Sequence, residues 1–239
     1  MPAFLTAEWR YLALLNYAVD PSLLAHFVPR GVELDEFEGK TYMSLVGFRF
    51  ERTRLRGIWI PFHSDFDEVN LRFYVRRTLA GDVRRGVVFV REIVPRWAIA
   101  KVAQVRFGEK YIALPMTHKV IEPTSEGGRV QLEYRWRSGG KWSAIRAEAS
   151  GRPAVPPIDS REAFFIEHYW GYAASPDGGT TEYRVEHDRW RTWPVAGASF
   201  DGDASELYGA DLGQRLTLPP DSVVVAEGST VTVHSGQKL

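Results

Sequence analysis

From Glu68 to Arg76 the chain alternates strictly between apolar and polar side chains, and this constrains the fold more than any other stretch. Val69, Leu71, Phe73 and Val75 would occupy one face of an extended strand, and Glu68, Asn70, Arg72, Tyr74 and Arg76 the other. The apolar face belongs to a core. The polar face meets either water or an internal pocket, and the same choice arises for 84–92, RRGVVFVRE, which also carries charge.

At 239 residues and 44% hydrophobic, the chain can bury a large core. No linker, low-complexity run or repeat divides it, so a single domain over 1–239 is expected. Thirty basic residues balance thirty acidic ones, leaving no global field to gather nucleic acid or anionic lipid, and neither is expected as a partner. Cysteine is absent, which excludes disulfides and thiolate chemistry. Glu8 and Arg10 interrupt the first apolar run, and no apolar stretch approaches the roughly 20 residues that span a bilayer. A soluble, cytoplasmic protein is expected, with the oligomeric state left open.

Residues 9–19 read as a strand. Asp20-Pro21 then opens a short helix to about Val28, because Asp caps and Pro is pre-set for the first helical position. Hairpins follow at 32–36 with 41–50, turning at Glu38-Gly39, and at 68–78 with 84–92, turning at Ala80-Gly81-Asp82. The stretch RWAIAKVAQVRF after Pro95 has helical spacing. Strands are predicted at 111–116, 130–137, 142–149, 181–187, 190–195, 222–226 and 229–234. Short helices are predicted after Ser160 and near 204–208. Many strands and few helices imply a mainly β, α+β fold, an antiparallel sheet curled towards a barrel.

LNYAVDPSLLAHFVPRGVELD, IPFHSDFDEVNLRFYVRR, RRGVVFVREIVPR, EHYWGY and EYRVEHDRW stand in one order along nearly the whole chain. In these motifs the sequence resembles the YqjF-like family of uncharacterised proteins, grouped by fold with acetoacetate decarboxylase. The resemblance implies a cone-like antiparallel β-barrel enclosing a cavity lined by strands 68–76 and 84–92. It does not carry over that enzyme's Schiff-base lysine pair. After Arg91-Glu92 and Pro95 the matching positions hold Arg96 and Trp97, and a guanidinium forms no imine. The nearest amine, Lys101, has no second lysine beside it to lower its pKa.

Arg72, Arg91 and Arg96 with Glu68, Glu92 and Asn70 could form an anion clamp, since the planar guanidinium fork matches a carboxylate. The plain alternative is a cross-strand salt-bridge ladder. In Glu167–Tyr172, His168 is a candidate general acid or base and Tyr172 a ligand-orienting phenol, against an aromatic plug holding a satisfied imidazole. Gly171 implies close backbone approach or a tight bend. The alternation His63, Asp65, Asp67 and the run Glu186-His187-Asp188 read as structural, with His63 as a rim residue, and no metal or cofactor is expected. The expectation is a protein that binds a small, anionic organic molecule such as an organic acid. The alternatives are an acid–base enzyme acting on a keto or hydroxy acid, with Glu92 or His168 as proton shuttle, and a non-catalytic interaction module.

Overall fold

The computed structural model describes residues 2–239 apart from Gly108, Glu126 and Pro176, and of 103–107 only the backbone. Its principal strands are β1 (Ala3–Val19), β2 (Lys40–Leu55), β3 (Phe66–Leu79), β4 (Asp82–Val94), β5 (Met116–Ile121), β6 (Arg129–Ser138), β7 (Lys141–Ser150), β8 (Trp170–Ala174), β9 (Thr180–His187), β10 (Val195–Asp201) and β11 (Ser222–His234). Helices are α1 (Trp97–Phe107), α2 (Arg161–Ile166), α3 (Ser205–Tyr208) and α4 (Ala210–Leu216). No helix among the described residues is long and apolar enough to cross a membrane.

Strands pair in the order β11–β1–β2–β3–β4–β8–β9, and β9 pairs back to β11, closing a ring. Neighbours are antiparallel except β4 and β8, where Gly86 and Val87 pair in parallel with Trp170 and Gly171. The ring is irregular. Between Arg10 and Ala13 the β1–β2 register shifts, and Tyr11 (φ 56°) and Arg52 (φ 54°) turn left-handed, as bulges do when they coil a long strand. Gly228 (φ 81°) makes the matching bend in β11, where a Cβ would overlap the Trp9 carbonyl. The expected hairpin turns carry consecutive positive φ values, 51° and 72° at Glu38-Gly39 and 47° and 88° at Ala80-Gly81, the twist that tight hairpins need.

A second sheet, β10–β7–β6–β5, covers the outside of the ring. Leu15, Leu45, Leu71 and Phe73 meet Leu132, Trp136 and Ile145 there, with Leu212 and Leu216 of α4 completing the layer. Each such side chain contributes about 1.5–3 kcal/mol through burial. The apolar face of β3 therefore packs outward, as its alternation and the barrel resemblance together imply, but beneath a sheet as well as helices. Inside the ring a separate cluster joins Phe48, Phe50 and Phe66 to Phe164, Phe165 and Ile166 of α2. Ser160 caps α2, accepting from the Ala163 amide at 3.2 Å.

Several elements differ from the sequence reading. The helix expected at 21–28 is two 3-10 turns, Pro21–Leu23 and Ala25–Phe27. Strands 222–226 and 229–234 are one, because Gly228 bends the chain without ending its pairing. Gly209 and Gly213 hide α4 in the sequence; Gly213 is needed because a Cβ would press on the Ser205 backbone. At Gly171 there is no tight bend, since Trp170–Ala174 is strand β8, and the close approach is that of Tyr183.

Candidate functional site

Glu68, Asn70 and Arg72 point from β3 into the ring, each less than a tenth exposed, while Val69, Leu71 and Phe73 join the outer core. Facing them, β4 carries a bulge: Arg72 pairs with Phe89, but Leu71 pairs with Arg91, leaving Val90 extra. That extra residue reverses the alternation, so Phe89 and Glu92 face the cavity and Arg91 does not. Glu92 stands opposite Asn70 on one side. On the other it pairs in parallel with Tyr111 of the short strand Tyr111–Ala113.

The result is a cavity of about 240 Å³. Trp9, Leu12, Val46, Phe48, Phe50 and Phe66 form an apolar wall from β1, β2 and the start of β3. The opposite wall holds three carboxyl groups, Glu68, Glu92 and Glu109. Asn70 Nδ2 and Tyr111 Oη each donate to Glu68 at 2.9 Å, and Tyr183 Oη donates to Glu109 at 2.7 Å. Gly171 lets Tyr183 reach that position, because a Cβ on β8 would overlap the phenol ring.

Burial disfavours the charged carboxylate, and it is the largest cause of shift at all three glutamates. It pushes Glu68 up to about 7, against the lowering pull of Asn70, Tyr111 and Arg72. Glu109 is pushed up to about 8. Glu92 lies well above the ordinary carboxyl range, through burial and then repulsion from Glu109 and Glu68. His168 is held well below the ordinary imidazole value, by burial first and then by Arg72 and Arg85, so the ring is neutral. Its ring sits 4.8 Å from that of Tyr74 and 5.7 Å from that of Phe164.

Five buried polar atoms at this site have no hydrogen-bond partner among the described residues: Asn70 Oδ1, Arg72 Nε, Glu92 Oε2 and both ring nitrogens of His168. Arg72 spends one Nη2 donor on the Phe165 carbonyl at 3.1 Å. Buried polar groups are normally satisfied, and each left unpaired costs about 1–3 kcal/mol. Such a cluster beside an apolar wall suits a ligand with one polar end and one greasy end.

Of the candidates from sequence, Glu68, Asn70, Arg72, Glu92 and His168 line this cavity, and His63 stands on its rim. Three do not. Arg91 is turned outward by the bulge, where its charge acts on Lys110 and Tyr208. Arg96 is exposed, its carbonyl accepting from the Ala100 amide at the start of α1. Tyr172 is buried in the outer core and donates to Glu182 at 3.2 Å. Glu109, Tyr111, Trp170 and Tyr183 were not foreseen. Only the Gly171 signal could have found Tyr183, and the parallel pairing that delivers Tyr111 has no local signature. No lysine is among the lining residues, and Lys110 lies over the Phe27 ring at 4.7 Å.

Residues of the two acidic runs have partners within the fold. Asp67 takes His118 at 2.9 Å and Arg49 at 3.6 Å, while Asp65 accepts from the Arg52 amide at 2.8 Å. His187 is stacked between Tyr169 and Trp190. Among the described residues no group of His, Asp and Glu could hold a metal ion.

Solved structures share this fold. Acetoacetate decarboxylase from Legionella pneumophila superposes with a TM-score of 0.61 at 14% identity, covering 100% of this chain and 88% of that one. The enduracididine biosynthesis enzyme MppR, complexed with pyruvate, gives 0.63 at 15% identity, covering 99% and 90%. An acetoacetate decarboxylase-like enzyme from Sphingomonas wittichii gives 0.59 at 13%, covering 100% and 94%. The uncharacterized protein YqjF of Bacillus subtilis is 35% identical over 68 residues, and the match spans 28% of this chain and 28% of that relative. A family model, DUF2071, described as an uncharacterized conserved protein, matches residues 6–230. With that match running from the first strand of the ring to its last, the chain belongs to the DUF2071 family of uncharacterized conserved proteins.

Proposed function

We propose that this protein binds a small organic acid inside the ring, with the carboxylate on Arg72 and the apolar part against Phe48, Phe50, Phe66 and Phe89. The observation that carries this reading is the convergence of five unpartnered buried polar atoms on one cavity with an apolar far wall. Electrostatics supports it. Where the three glutamates are protonated, Arg72 is left as an uncompensated buried cation, and an anion would neutralise it. A protonated Glu92 could also donate to a carbonyl. Pyruvate, a keto acid, is named as the ligand of one structural relative. A thermal-shift screen of small keto, hydroxy and fatty acids, followed by calorimetry, tests the proposal; an absence of binding across all three classes sinks it.

The raised carboxyls also favour a second reading, acid–base turnover of a keto or hydroxy acid. Glu92 has a free oxygen in the cavity and a displaced pKa, which suits a proton shuttle. With no lysine in the lining, this chemistry would proceed without an imine. The reading of a non-catalytic module with solvated strand faces is disfavoured, because those faces enclose open space.

A further inference from the structure

The cavity reaches solvent along two segments, 52–65 and 96–102, where the half-exposed Ile60, His63, Ala98 and Ile99 and the exposed Val102 line it. Around those lining residues stand large apolar side chains that the fold leaves in water. Phe62 is 82% exposed, Trp97 72%, Ile58 69% and Trp59 55%. Phe62 is also held at φ 65°, a conformation costly for a bulky residue, which turns it outward where it gains no burial. Isolated exposed apolar residues are ordinary, but aromatic ones gathered on both sides of a cavity mouth mark an interaction surface.

Charge says what kind. The two segments carry Arg52, Arg54, Arg56, Arg96 and Lys101, all exposed, and Asp65 is their only carboxylate. Asp65 is occupied by the Arg52 amide and the Ser64 hydroxyl, and Arg52 pairs with Glu8. Arg54, Arg56, Arg96 and Lys101 form no ion pair among the described residues. The neutral sum of the whole chain thus conceals a locally cationic, aromatic rim. A mixture of tryptophan, phenylalanine and uncompensated arginine and lysine matches an anionic lipid headgroup layer, where rings sit at the acyl boundary and cations at the phosphates.

We infer that the mouth of the cavity docks on an anionic lipid surface, with Trp59, Phe62 and Trp97 entering the interface and Arg54, Arg56, Arg96 and Lys101 meeting the phosphates. The inference does not depend on the identity of the cavity ligand.

Co-sedimentation of the whole chain with vesicles of phosphatidylcholine, alone or mixed with phosphatidylglycerol, tests it. The protein should pellet with the mixed vesicles, weakly with the neutral ones, and less as salt rises. W59S/F62S and R54Q/R56Q should each lower apparent vesicle affinity at least about tenfold, the scale expected of rings and cations at such an interface. Their melting temperatures should match wild type, because all four side chains are exposed. Failure to pellet with mixed vesicles, or equal pelleting by the variants, overturns the inference. So does concentration-dependent self-association abolished by F62S, which would give this surface to a second copy of the chain.

Discussion

Tyr183 lies across the backbone of Gly171, its register partner on the neighbouring strand, and from there donates its hydroxyl to Glu109. The contact needs a residue without a side chain. Gly171→Ala should displace the phenol, leave Glu109 without its donor and destabilise the fold by about 1–3 kcal/mol, as overpacking a filled core does. Thermal melts of the variant check this; an unchanged melting temperature would mean that the ring moves aside freely.

Stability should fall as pH rises from about 5 to 8. Glu68 and Glu109 bind protons more tightly folded than unfolded, with folded values of about 7 and about 8 against an ordinary 4.5. Between those limits the folded state holds more protons, so each rise in pH favours unfolding, and the stability is fully present only below about 4.5. Glu109→Gln keeps an acceptor for Tyr183 without the titration and should flatten the profile. A wild-type melting temperature that does not decline over this range would contradict the assignment.

Binding of an organic acid should tighten as pH falls through about 7, because protonated Glu68 no longer competes for Arg72. Arg72→Gln should weaken the acid selected by screening by about 1.5–3 kcal/mol, the usual worth of a charged hydrogen bond. Calorimetry at pH 6 and pH 8 on both proteins would show it; equal affinities throughout would place the anion elsewhere.

Borohydride reduction with pyruvate or acetoacetate should leave no adduct. Arg96 and Trp97 stand at the positions that suggested themselves for an amine, and none of the lining residues is lysine. Mass spectrometry decides the point, and a trapped adduct on Lys101 or Lys110 would restore imine chemistry.

What the sequence revealed of the site depended on whether the information was local. The period-2 pattern of β3 was enough to set Glu68, Asn70 and Arg72 against Val69, Leu71 and Phe73, because a strand with one buried face leaves no freedom of register. On β4 adjacent Arg91 and Glu92 cannot both face in, and the extra residue Val90, which has no sequence signature, is what turns Glu92 inward and Arg91 outward. Arg96 stands where the resemblance and the start of α1 both point, but neither says which way its side chain faces, and it faces water. Glu109 escaped notice because nothing in its neighbourhood differs from an ordinary surface stretch; it is buried by strands brought in from far along the chain.

The closure of the ring also sets an order of events during synthesis. β1 is synthesised well before β11, yet one of its two edges is completed only when β11 pairs with it. Until then β1 and β2 can pair, but the other edge of β1 stays open, an invitation to other nascent chains. A ring whose seam joins strands so distant in sequence is slow to complete and prone to aggregate while waiting, so chains stalled before β11 should depend on chaperones far more than finished ones.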